Sequence, residues 1–291
     1  MSTGEDRVPI GRPDDASEPQ VLHERSLRAR RRRRRERDPN RRGFAALLPN
    51  LFTTGNLAAG FYAIVKASQG DFERAAVAII FAGIFDALDG RIARMAQTTS
   101  RFGVEYDSIA DTVSFGVAPA MLAFHAGHLE KLGWTGWVMA FMFTVCAALR
   151  LARFNVSPGR YAGRFEGLAS PAGAGMVLAT TLFAGFLREQ GLAWSVPAPL
   201  VGLGVVALGL LMVSPIPYRS FKDLDLRHSY RTNVFLVIAF GAILLKPAVT
   251  LFLVGIVYVS SGPVELFWRW RTGRSLEELP EPARDAGEGT L

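Results

Sequence analysis

The sequence predicts an all-α integral membrane protein, a polytopic bundle of helices. Apolar residue types make up 49% of the 291 residues, although the first 43 and the last 20 residues are polar. The segment between them is therefore more apolar than a soluble domain. Apolar stretches recur there at close to the roughly 20 residues that a helix needs to cross the hydrocarbon core. Backbone groups in lipid must bond to one another, and runs this long favour helices over a barrel.

Eight apolar windows are candidate membrane helices. Six form the predicted core bundle, and two shorter ones, separated by Lys246 and Pro247, are predicted as additional C-terminal helices. The windows are 46–67, 74–93, 104–126, 134–152, 171–188, 196–214, 232–246 and 247–262. The predicted division of the chain is a disordered basic arm over 1–43, a membrane core over 44–231, further membrane helices over 232–270 and an acidic disordered tail over 271–291.

The charges of the loops predict a cytoplasmic N-terminus. Basic residues concentrate in alternate loops, and this asymmetry marks the cytoplasmic side. The inside set is Arg94, Arg101, Arg150, Arg153, Arg160, Arg164, Arg219, Lys222, Arg227, Arg231, Arg269, Arg271 and Arg274, whereas the outside set is only Arg74, Lys131, Arg188 and Lys246. The expected location is the cell (inner) membrane, with several passes.

The N-terminal arm carries the run RARRRRRRERDPNRR over 28–42. Such a composition buries too little apolar area to fold, and the arm has no apolar core of a signal peptide. A basic arm beside the first helix attracts anionic lipid headgroups. Arginine runs also bind nucleic acid, but this one has no interleaved aromatic residues and no folded module, so anionic membrane lipids are the expected partner and nucleic acid is not.

Four aspartates stand between otherwise apolar segments, within FDALDGRIARMAQTTSRFGVEYDSIADTVSFG over 85–116. Asp86 and Asp89 are spaced i, i+3, and Asp107 and Asp111 are spaced i, i+4, so each pair shares one face of its helix. The two helices are consecutive and antiparallel, so all four carboxylates are expected to converge. Neighbouring anions repel, and hard oxygen ligands suit Mg²⁺ or Mn²⁺. The plainer interpretation is a set of helix-end aspartates solvated by headgroup water.

Small residues lie beside the aspartates on the first of these helices. Gly90 and Ala93 keep the helix thin, so a bulky polar ligand can approach the backbone, and Arg94 is one turn beyond Gly90 and can meet a phosphate. Glycine in a membrane helix is as often a packing residue. The residues by themselves leave these two interpretations open.

The pattern D-x2-D-G-x2-A-R-x8-G-x3-D-x3-D runs from Asp86 to Asp111 without a departure. In it the chain resembles the CDP-alcohol phosphatidyltransferase family. Further segments resemble the phosphatidylserine synthase branch of that family, with one departure at Ala169, where a proline is expected. They are LPNLFTTGNLAAGFYAI (48–64), DSIADTVSFGVAPA (107–120), LRLARFNV (149–156), GLASPAGAG (167–175) and SPIPYRSFKDLD (214–225).

The resemblance implies a role for each matching residue. Asp86, Asp89, Asp107 and Asp111 would surround divalent cations, expected as a pair of Mg²⁺ or Mn²⁺, with Asp111 also acting as the general base. The contacts to a CDP-linked lipid would come from Asn50, Thr53, Gly90, Ala93, Arg94 and Ser100. The implied reaction transfers the phosphatidyl group of CDP-diacylglycerol to the hydroxyl of L-serine and releases CMP, and the resemblance also suggests a homodimer.

Recognition of the serine carboxylate needs a cation. Arg150, Arg153 and Asn155 of LRLARFN are the first candidates, with Arg153 expected to help select serine, and Arg219 and Lys222 are the second. An equally open interpretation of Arg150 and Arg153 is that they are cytoplasmic-side basic residues that only set the orientation of the chain.

Two other functions stay open. A sibling transferase would share the aspartates and use glycerol 3-phosphate or inositol. A transporter with an intramembrane carboxylate site would need two similar halves, and no such repeat is evident in the sequence.

Overall fold

The computed structural model describes residues 39–96, 100–156, 164–192, 196–219 and 246–272. Most of the predicted arm, nearly all of the acidic tail and the window 232–246, apart from Lys246, lie outside these residues. The helices are α1 (Pro39–Ser68), α2 (Phe72–Ala96), α3 (Arg101–Asp111), α4 (Ala118–Ala126), α5 (Trp134–Val156), α6 (Ser170–Glu189), α7 (Ala198–Val213) and α8 (Pro247–Thr272). A π-helical turn (Thr112–Val117) joins α3 to α4 without a break, and a 3₁₀ turn (Leu129–Leu132) precedes α5.

The helical membrane fold is confirmed in its coarse form. Among the described residues, four helical segments are long and apolar enough to cross a membrane: Arg101–Ala126, Trp134–Val156, Ser170–Glu189 and Pro247–Thr272. Helix α7 is apolar as well but shorter, at 16 residues. The division into six core helices and two additional ones stays a prediction.

Two short strands were not predicted. β1 (Arg164–Glu166) pairs antiparallel with β2 (Pro217–Arg219), and Phe165 lies opposite Tyr218. Three residues a strand are too few to show an alternating pattern in the sequence. The pair joins the segment before α6 to the segment after α7 at one end of the bundle.

Helix α8 is longer than the predicted window, since it continues from Pro247 through Pro263 to Thr272. A proline inside a helix has no N–H for the carbonyl four residues earlier, which here belongs to Val259. The hydroxyl of Tyr218 donates to that carbonyl oxygen at 3.0 Å. The helix therefore passes the proline because a side chain from β2 replaces the missing donor.

Small residues let the helices approach closely. Ala63 and Ala67 of α1 and Ala75 and Ala76 of α2 are fully buried, as expected where membrane helices pack through short side chains. At Gly60, a Cβ would lie 2.8 Å from the Cα of Ser114 in the π-helical turn. That closeness brings α1 against the segment that follows Asp111.

The bundle has two distinct ends. At one end, Asn155 of α5 donates to the Ser108 hydroxyl of α3 at 2.8 Å, close to the aspartates. At the other end, a cavity of about 1280 Å³ is lined by residues that include Phe72, His128 and Lys246. All four aspartates belong to the first end.

Candidate active site

Three carboxylates converge between α2 and α3. Asp86, Asp89 and Asp107 each offer one oxygen, and these oxygens lie within 4.8 Å of one another. Asp86 and Asp89 share a face because they are one helical turn apart, and Asp107 reaches them from the next, antiparallel helix. Asp89 is only 4% exposed. The predicted convergence of carboxylates is therefore present for these three.

The three-carboxylate group fits a divalent cation. Oδ1 of Asp107 is buried and has no hydrogen-bond partner among the residues that the structure describes. Buried carboxylate oxygens are normally paired or bound to metal, and hard oxygen donors are the ligands that Mg²⁺ and Mn²⁺ prefer. These residues could hold such an ion.

Asp111 lies outside the three-oxygen group and faces α1 instead. Its Oδ1 accepts a hydrogen bond from Nδ2 of Asn56 at 2.9 Å. Its expected roles as a fourth metal ligand and as the general base stay predictions. The position at the end of α3, one turn beyond Asp107, keeps it beside the group.

Thr53 reaches a carboxylate directly. Its hydroxyl lies 3.0 Å from Oδ2 of Asp89 and 3.1 Å from the carbonyl oxygen of Pro49. One hydroxyl hydrogen is thus shared between an intrahelical acceptor and the aspartate. Thr53 was predicted to contact the nucleotide, and in the structure its hydroxyl contacts a candidate metal ligand.

Ser100 and Asn50 both lie close to Gly103 at the start of α3. Oγ of Ser100 accepts from the backbone N–H of Gly103 at 2.9 Å and so caps the helix, as serine commonly does. A Cβ at Gly103 would lie 3.5 Å from Oδ1 of Asn50. Both predicted lipid-nucleotide contacts therefore lie beside one glycine of the motif.

The side chain of Arg94 extends back along its own helix toward Gly90. Its Nη1 is 3.6 Å from where a Cβ of Gly90 would be. Ala93 is half-buried and Arg94 is exposed. The guanidinium therefore lies in van der Waals range of the space beside the Gly90 backbone.

The serine-binding candidates differ in how they are engaged. Arg153 pairs with the carboxylate of Glu166 in β1, and Asn155 donates to Ser108. Arg150 has a buried Nε without a hydrogen-bond partner among the described residues and lies near Tyr258 of α8. Lys222 lies outside the described residues, and Arg219 is described only as part of β2.

Sequence reasoning missed Asn56. It is 0% exposed and contacts one of the four aspartates. A polar side chain in an apolar membrane helix is expensive and usually functional, so its place in the window 46–67 was the available signal. Glu166 and Tyr218, which engage Arg153 and α8, gave no such signal because they lie in loop-like sequence.

Comparison with known proteins gives one family and a consistent set of relatives. The family model described as CDP-alcohol phosphatidyltransferase matches residues 46–261. A protein of Helicobacter pylori named CDP-diacylglycerol–serine O-phosphatidyltransferase is 35% identical over 205 residues, which are 69% of this chain and 83% of that protein. A protein of the same name from Mycobacterium tuberculosis is 32% identical over 245 residues, 81% of this chain and 82% of that protein. An archaetidylserine synthase of Methanothermobacter thermautotrophicus is 31% identical over 173 residues, 59% of this chain and 69% of that protein.

Proposed function

Because the chain belongs to the CDP-alcohol phosphatidyltransferase family, we propose that it transfers the phosphatidyl group of CDP-diacylglycerol to L-serine. The products are phosphatidylserine and CMP. The observation that carries the proposal is the convergence of three carboxylate oxygens within 4.8 Å, on residues spaced as in the family's motif. The names of the relatives support serine as the acceptor.

The aspartates would hold Mg²⁺ or Mn²⁺, as a pair of ions. When bound, such ions would supply positive charge that stabilises the charge developing on the pyrophosphate. Arg94 supplies further positive charge near Gly90 and binds a phosphate of the CDP group. Asn50, Thr53, Gly90, Ala93 and Ser100 complete the proposed nucleotide side of the site.

Asp111 acts as the general base in this proposal. A serine hydroxyl is a weak nucleophile until a positioned base takes its proton. The hydroxyl oxygen then attacks the phosphorus next to the diacylglycerol, its proton passes to the Asp111 carboxylate, and the pyrophosphate bond breaks with CMP leaving. Asp111 suits this role because it lies beside the three-carboxylate group without being part of it.

Arg150 is the proposed anchor of the serine carboxylate. Arg153 and Asn155 are already engaged. Nε of Arg150 is buried and has no hydrogen-bond partner in the part of the chain that the structure describes, which is unfavourable until an anion meets it. The position of Arg150 along α5 supports the choice. Two hydrogen bonds align α5 with the segment of α3 and the π-helical turn: Thr144 with the carbonyl oxygen of Gly116 at 3.4 Å, and Asn155 with Ser108. Between these two contacts the antiparallel segments bring Arg150 level with Asp111.

We also propose the membrane side of the site, the lipid contacts of the arm and the oligomeric state. The aspartates and the N-terminus lie on the cytoplasmic side of the inner membrane, the basic arm contacts anionic lipids, and the enzyme is a homodimer. Each follows from the loop charges or from the family.

The deciding experiment measures CMP release by the purified protein with CDP-diacylglycerol and one of three acceptors: serine, glycerol 3-phosphate or inositol. We expect serine alone to give CMP and phosphatidylserine in equal amounts. Faster release with glycerol 3-phosphate or inositol would assign the chain to a sibling activity. CMP release without any acceptor would point to hydrolysis instead.

A further inference from the structure

We propose that Asn56 is a positioning residue for Asp111 and determines which of its two carboxylate oxygens takes the proton of the acceptor. The inference rests on the proposed role of Asp111 as the base. It concerns a residue of α1 that lies outside the aspartate motif, 55 positions before its partner.

The contact is direct and its direction is fixed. Nδ2 of Asn56 donates to Oδ1 of Asp111 at 2.9 Å. An ionised carboxylate only accepts hydrogen bonds, so the amide nitrogen, not the amide oxygen, must face it. Oδ1 of Asn56 is buried and has no partner among the described residues. Within that part of the chain, the side chain of Asn56 therefore serves Asp111 alone.

A second hydrogen bond joins the same two segments through the backbone of Asn56. Oγ of Ser114 donates to the backbone carbonyl of Asn56 at 3.0 Å, and both residues are 0% exposed. The π-helical turn that carries Ser114 begins at Thr112, immediately after Asp111. Such turns often occur at functional sites, and here the turn brings Asp111 and Ser114 to the same residue of α1.

The chemical consequence follows from the geometry. Because Oδ1 accepts the amide hydrogen bond, Oδ2 of Asp111 is the more basic oxygen and the one assigned to take the proton. The hydrogen bond also prevents rotation of the carboxylate, so Oδ2 keeps one direction through the reaction. Loss of the amide would leave the base in place but unoriented, which lowers the rate of the chemical step more than the binding of either substrate.

The test uses Asn56→Leu in the full-length protein, because leucine keeps most of the volume and removes the donor. Loss of a hydrogen bond that orients a functional group typically lowers activity by about 10- to 100-fold. We expect that loss in kcat, with the KM values for serine and CDP-diacylglycerol within about twofold of wild type. The matched control is Ser114→Ala, which removes a hydrogen bond between the same two segments without touching a carboxylate. It should lower thermal stability and leave kcat nearly unchanged.

Two further variants separate positioning from folding. Asn56→Asp combined with Asp111→Asn keeps an amide–carboxylate pair of the same size, so thermal stability should stay near wild type while activity stays as low as in Asp111→Asn. In the Asp111→Asn background, Asn56→Leu should cause no further loss of residual activity. A restored rate in the exchanged pair, or an additional loss in that background, would overturn the inference.

The two assignments fail in different ways. Full activity of Asn56→Leu with an inactive Asp111→Asn would overturn the positioning role and leave the base in place. Full activity of Asp111→Asn would overturn the base itself. An equal loss of kcat in Asn56→Leu and Ser114→Ala would show that α1 is merely loosened, and would overturn the positioning role as well.

Discussion

Tyr218 donates a hydrogen bond to the backbone carbonyl of Val259 at 3.0 Å, and this is the carbonyl that Pro263 leaves without a helical donor. The tyrosine is fully buried, and a Cβ at Gly262 would lie 2.5 Å from its ring. Strand β2 and helix α8 thus form one unit. The aspartate end of the bundle is tied to the C-terminal helix through it.

We expect Tyr218→Phe to lower the free energy of unfolding by about 1–3 kcal/mol, because it leaves a buried carbonyl without a donor. Pro263→Ala restores a backbone N–H at that position, so Tyr218→Phe should have little effect in the Pro263→Ala background. Unfolding of the four proteins in detergent, followed by circular dichroism, measures this cycle. Equal losses in both backgrounds would show that the hydroxyl does not replace the missing donor.

Thr53→Val should weaken metal binding. The hydroxyl holds Oδ2 of Asp89 at 3.0 Å, and loss of such outer partners typically lowers metal affinity by about 10- to 100-fold. The metal concentration for half-maximal activity should rise accordingly. The neighbouring Thr54→Val is the control, since Thr54 contacts the Asn50 carbonyl and Tyr106 rather than an aspartate. A similar rise in both variants would assign the effect to α1 as a whole.

Asp107→Asn should abolish turnover while the protein still inserts and purifies. Its carboxylate is one of three within 4.8 Å, and their mutual repulsion destabilises the fold when no cation is bound. Chelation by EDTA should therefore lower the melting temperature of the wild type and leave that of Asp107→Asn nearly unchanged. Glu105→Gln, on an exposed position of the same helix, should behave as wild type. An active Asp107→Asn would refute the metal assignment.

Helical spacing predicted which aspartates share a face, and three of them do meet. Spacing did not predict that Asp111 would face Asn56. That contact depends on the π-helical turn after Asp111 and on the close approach of α1 at Gly60. Both are consequences of packing between segments distant in sequence, which no local pattern contains.

The C-terminal helix illustrates the same limit. Lys246 and Pro247 correctly marked its start, whereas the window 247–262 ended too early. A proline predicts a helix boundary from local sterics. The donor that lets α8 continue comes from Tyr218, 45 residues before Pro263 along the chain, and from a strand too short to be predicted.

The orientation of the chain can be tested with two exposed positions, Lys131 and Arg271. In a Cys146→Ala background, each is replaced by cysteine and intact cells are treated with a membrane-impermeant thiol reagent. The loop charges predict that Lys131→Cys reacts at once and that Arg271→Cys reacts only after permeabilisation. The opposite result would place the aspartates on the outer face of the membrane and would contradict the proposed cytoplasmic active site.

Arg153 pairs with Glu166, and the structure thereby offers a second explanation for the arginine that the sequence assigned to serine. In this second role, the ion pair of Arg153 with Glu166 stabilises the contact between the strand pair and the end of α5. Arg153→Ala and Glu166→Gln should then lower stability by similar amounts, on the order of 1 kcal/mol for a partly exposed pair. The double variant should be no less stable than either single one, and none should change the KM for serine by more than about twofold.

Arg150→Ala provides the contrast. A charge-assisted hydrogen bond from arginine to a carboxylate contributes about 1.5–3 kcal/mol, so its loss should raise the KM for serine by roughly 10- to 150-fold with little change in the KM for CDP-diacylglycerol. Lysine at position 150 should rescue only partly, because it keeps the charge and loses the planar fork. If Arg153→Ala raises the KM for serine and Arg150→Ala does not, the carboxylate binds Arg153, and the pair with Glu166 must open before serine can enter.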